Sequence, residues 1–113
     1  RLIRAAESEL PRLNVAMVRE HGLEGALAAL AGDVSEAEAR FAVAIEINDG
    51  IWGPIYGGMV RASTPLYLGG DNPRAREWAG ETRSKWEKAG LTTLLDVFAE
   101  PFALLDTAAA ETA

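Results

Sequence analysis

The sequence predicts an all-α protein: about five helices packed around a central segment, Asn48 to Pro73, rich in glycine and aromatic residues. Three observations predict it. On both sides of that segment apolar residues recur three and four apart, the period of one helix face. Helix start and stop signals bracket several of these runs, Asn72-Pro73 and Gly90 among them. The one alternating run, Phe41, Val43, Ile45 and Ile47, has no second clean run to pair with, as a sheet would need.

The first run is Leu2, Ala6, Leu10, Leu13 and Met17, spaced by four, four, three and four. Pro11 interrupts it. Its ring clashes with the carbonyl of Glu7 and it has no amide hydrogen, so the helix is expected to kink there or to start anew with Ser8 or Glu9 near its cap. Gly22, after His21, is the expected stop. Leu23, Leu27 and Leu30 mark a short second helix ended by Gly32. Ser35 followed by Glu38 reads as a capping box, with Val34 and Ala39 as a weak staple. The third helix then runs to about Asn48, with Phe41 and Ile45 on one face. The alternative here is α+β: a short hairpin near residues 41–60, turning at Asn48-Asp49-Gly50.

The central segment holds both tyrosines, Trp52, six of the eleven glycines and three of the five prolines, with only Asp49, Arg61 and Asp71 charged. A surface connector is normally polar, because buried backbone amides need partners. This one carries Ile51, Trp52, Ile55, Tyr56, Met59, Val60, Leu66, Tyr67 and Leu68. It is expected to lie across the helices and fill the core, with a short helix near Ile55 to Ala62, or else to be partly covered and bind something.

Asn72-Pro73 reads as a cap and first-turn proline for a helix to about Ala89. Gly90 ends it in a Schellman motif that sets Leu91 against Trp86. Glu81 and Lys85 form a favourable four-spaced pair. The last run, Leu91, Leu95, Phe98, Phe102 and Leu105, is expected to kink at Pro101. Residues 107–113 read as a frayed tail of a single domain, 1–113.

Composition excludes several functions. The net charge of −6 opposes a phosphate-neutralising groove and an anionic membrane surface. With no cysteine there is no disulfide, thiolate catalysis or zinc-thiolate site, which fits a cytoplasmic protein or one within a viral particle. No stretch of about 20 apolar residues crosses a bilayer as a helix. The first residue is not methionine, so the chain reads as processed or as a piece of something longer.

Catalytic signals are weak. His21 is the only histidine and reads as a helix C-terminal residue favoured by the dipole. Ser8, Ser35, Ser63 and Ser84 lie in no nucleophile-elbow setting, and no cofactor or metal is expected. Glu46, Asp49 and Asp71 could do general acid–base work if burial raised one pKa, but they read better as turn and helix-end residues. Calcium-loop spacing is absent at both glycine sites, and Gly69-Gly70-Asp71-Asn72 lacks the spacing and lysine of a phosphate cradle. Trp78 and Trp86, eight apart, read as a core-facing stripe, or as a rim where another chain docks, since Thr82 and Lys85 share the face.

The leading functional expectation is therefore non-enzymatic. The chain would act through protein–protein contacts or self-association, as an assembly or accessory subunit such as a viral or phage structural component or a bacterial complex subunit. Trp52, Tyr56, Met59, Tyr67, Trp78 and Trp86 are its expected contact residues. A second expectation is a small-molecule pocket at residues 46–68, with Glu46, Asp49 and Arg61 as its polar groups. A carboxylate-based enzyme using Glu46 or Asp49 is a third.

Overall fold

A computed structural model describes residues 17–56 and 58–112, without the side chains of 51–56 and 112. Six helices follow one another: α1 (17–30), α2 (Val34–Tyr56), α3 (Gly58–Leu68), α4 (Pro73–Ala89), α5 (Thr92–Val97) and α6 (Ala99–Thr112). No strand occurs among the described residues, so the protein is all-α. The hairpin alternative fails because α2 continues through Phe41–Ile47 and on through Asn48-Asp49-Gly50. Its buried face is Ala37, Phe41, Ala44, Ile45 and Asn48, while Val43 is exposed. A strand would have put Phe41, Val43, Ile45 and Ile47 on one side. The helical period separates them.

The early helix ends differ from expectation at Gly22 and Ser35 and follow it at Gly32. α1 does not stop at Gly22 but runs to residue 30, so His21 sits inside a helix and not at its C-terminus. The stop is Gly32, whose φ of 83° is the left-handed conformation that a Schellman ending needs. Gly32 N–H donates to Ala29 O at 3.0 Å and Asp33 N–H to Ala28 O at 2.9 Å. Asp33 then caps α2, its Oδ1 accepting the Glu36 amide at 3.2 Å. One residue thus closes one helix and opens the next. The cap is Asp33 and not Ser35, because the Schellman turn already places Asp33 where an N-cap oxygen is needed. Glu38, freed from the expected box, accepts from Asn72 Nδ2 at 3.0 Å. The proline at position 11 and its expected kink lie outside the described residues.

The central segment is helix, not connector. Its first part is the end of α2, which passes Gly50, Gly53 and Pro54, and its second part is α3. Pro65 sits inside α3 and cannot donate to the carbonyl of Arg61. The Thr64 hydroxyl donates to that carbonyl instead, at 2.7 Å. α3 is the hub, packing on α2, α4 and α6. It comes so close to α4 that a Cβ on Gly58 would lie 2.6 Å from Thr82 Cγ2.

α4 has both expected ends. The Asn72 side chain accepts from Ala75 N–H at 3.0 Å, Pro73 fills the first turn, and Gly90 is left-handed with φ 71°. Leu91 N–H donates to Trp86 O at 3.0 Å, and Leu91 packs against the core cluster that holds Trp86. Pro101 does not kink the last run. The run breaks at Phe98 into α5 and α6, and Pro101 falls in the first turn of α6, where no intrahelical bond needs its missing amide. Across the break the stripe still serves one core: Leu91, Leu95 and Phe98 pack against Ala62, Ala79, Trp86, Phe102 and Leu105. α6 continues through residues 107–112, with Ala108 buried.

Asn72 joins two elements, so its replacement tests both roles. Asn72→Ala is expected to cost about 1–2 kcal/mol in urea unfolding, from the lost cap and the lost bond to Glu38. Asn72→Asp keeps the cap but sets a carboxylate against Glu38, and should recover only part of that loss.

Candidate functional site

Two of the charged groups of the central region, Asp49 and Arg61, form a structural pair. Asp49 on α2 receives a bidentate fork from Arg61 on α3, Nη1 to Oδ1 and Nη2 to Oδ2, each at 2.6 Å. This pair clamps α2 to α3, and the hydrogen bond to Asp49 raises the Arg61 pKa above its ordinary value. Glu46 is exposed. Asp71 is exposed in the turn before α4, where the Asn72 oxygen already occupies the Ala75 amide. On the far side Arg83 makes the same kind of fork to Asp106, at 2.7 and 3.1 Å, and lies over the Phe102 ring. That hydrogen bond raises the Arg83 pKa and lowers that of Asp106. Arg40 bridges α1 and α2. It meets Glu36 at 2.7 Å and Glu24 at 3.0 Å, with His21 Nδ1 at 3.5 Å. Among the described residues no group of three His, Cys, Asp or Glu side chains could hold a metal ion.

Among the described residues two open grooves stand out, of about 320 Å³ beside Arg83, Phe102 and Asp106 and about 370 Å³ at Gly90–Leu94. Neither is lined by any residue of 46–68. No helix of the described residues is long and apolar enough to cross a membrane.

The expected contact residues are dispersed. Trp52 and Tyr56 lie on the last turns of α2, and their side chains fall outside the described set. Met59 is exposed on α3. Tyr67 is partly exposed and packs on Phe41, ring centres 5.7 Å apart. Trp78 is half-buried beneath the Arg74 guanidinium, 4.6 Å from its ring. Trp86 is fully buried, against Phe98 at 5.3 Å and Phe102 at 5.9 Å. The two α4 tryptophans do not share a surface, because eight residues leave them roughly 80° apart around the axis. The core face of α4 is Ala75, Ala79, Thr82 and Trp86. The reading of this face as core is the one the geometry follows for Trp86.

What the sequence reading passed over is α1. Gly25 is buried against α2, where a Cβ would stand 3.2 Å from the Phe41 ring atoms. Leu23, Leu27 and Leu30 lie around the opposite side, 62%, 56% and 81% exposed. Their spacing of four and three makes them one continuous patch. Met17 and Val34, near its two ends, are exposed too. A signal was present in the chain: Gly25, Ala28 and Ala29 form a small-residue face, so the leucines fall on the other one.

No protein family, curated protein or solved structure matches the chain.

Proposed function

We propose that this chain works non-enzymatically, through protein–protein contact, as a subunit or accessory component of a larger assembly. The observation that carries the reading is the leucine face of α1. An isolated exposed leucine is ordinary, but three in one continuous patch along a helix call for a covering surface. Full burial of a leucine side chain is worth about 1.5–3 kcal/mol. Of the three carboxylates that could do acid–base work, Asp49 anchors the ion pair to Arg61 that joins α2 to α3, while Glu46 and Asp71 are exposed.

Replacing Leu23, Leu27 and Leu30 together with glutamine tests it. Glutamine keeps helix propensity, so the free chain should keep its stability to within about 0.5 kcal/mol per site. Binding to the physiological partner should weaken at least about 30-fold, the loss of a single hot spot of about 2 kcal/mol. Undiminished co-purification from the native source would remove the reading. So would a large loss of stability in the isolated chain, which would mean the leucines are core.

A further inference from the structure

We draw no further inference here: the strongest candidate, the exposed surface patch of Leu23, Leu27 and Leu30 along α1, carries nothing beyond the contact reading because nothing in the structure shows what covers it.

Discussion

Trp86→Ala is expected to lower stability by about 3–5 kcal/mol, the range for removing a large aromatic from a packed interior. A chain of this size has about 5–15 kcal/mol in all, so the variant should be barely folded at 37 °C. At ~4 °C per kcal/mol, its melting temperature should fall by roughly 12–20 °C. The physical reason is position. Trp86 is fully buried where α4 meets α5 and α6, in ring contact with both Phe98 and Phe102. Its backbone carbonyl also accepts the Leu91 amide that closes α4. The cavity left behind would be lined by groups from three helices, which cannot all collapse inward at once. Trp78→Ala is the matched control, since Trp78 is only half-buried under Arg74, and it should cost clearly less. Equal losses for the two, followed by circular dichroism on heating, would show that Trp86 does not organise the core.

Gly70→Ala is expected to destabilise by about 1–3 kcal/mol, and Gly80→Ala to stabilise by about 0.4–1 kcal/mol. The same methyl group thus acts with opposite signs at two glycines ten residues apart. At Gly70 a Cβ would overlap the main-chain carbonyl of Leu104 on α6. Backbone cannot swing aside as a side-chain tip can, so the turn between α3 and α4 must shift away from α6. At Gly80, inside α4, a Cβ meets nothing within 4 Å, and the gain comes from restricting the unfolded chain and improving helix propensity. Denaturant midpoints of the two single variants settle the matter. A neutral Gly70→Ala would mean that α6 does not lie against this turn.

Helix ends were readable wherever the signal was local. Asn72-Pro73 and Gly90-Leu91 need only their own neighbours to make their hydrogen bonds, and both formed as the residues suggested. Gly32 is a third such case. Gly22 shows the other side, because a glycine stops a helix only where the chain can turn left-handed, and here α1 continues to bury Gly25 against Phe41. Ser35 lost its capping role to Asp33 because the preceding Schellman turn placed Asp33 first. The contact residues were the least legible. Aromatic type pointed to Trp78, Trp86 and Tyr67, yet exposure depends on which side of a helix faces a neighbour, and a single chain of letters does not state the neighbour. The leucines of α1 marked a helix by their spacing, which for the same reason did not say whether that face would be covered.

Apolar periodicity, two caps and the want of a second alternating run were enough, by themselves, to determine that this chain is all-α and where α4 begins and ends. Those are short-range matters, settled within one or two turns of backbone. Only the tertiary structure decided that the glycine-rich middle is two helices with α3 at the hub, that Trp86 is interior, and that the leucines of α1 are left outside. Each of those depends on contacts between residues far apart in sequence. There a missing Cβ at Gly25, Gly58 or Gly70 matters because of what stands across from it.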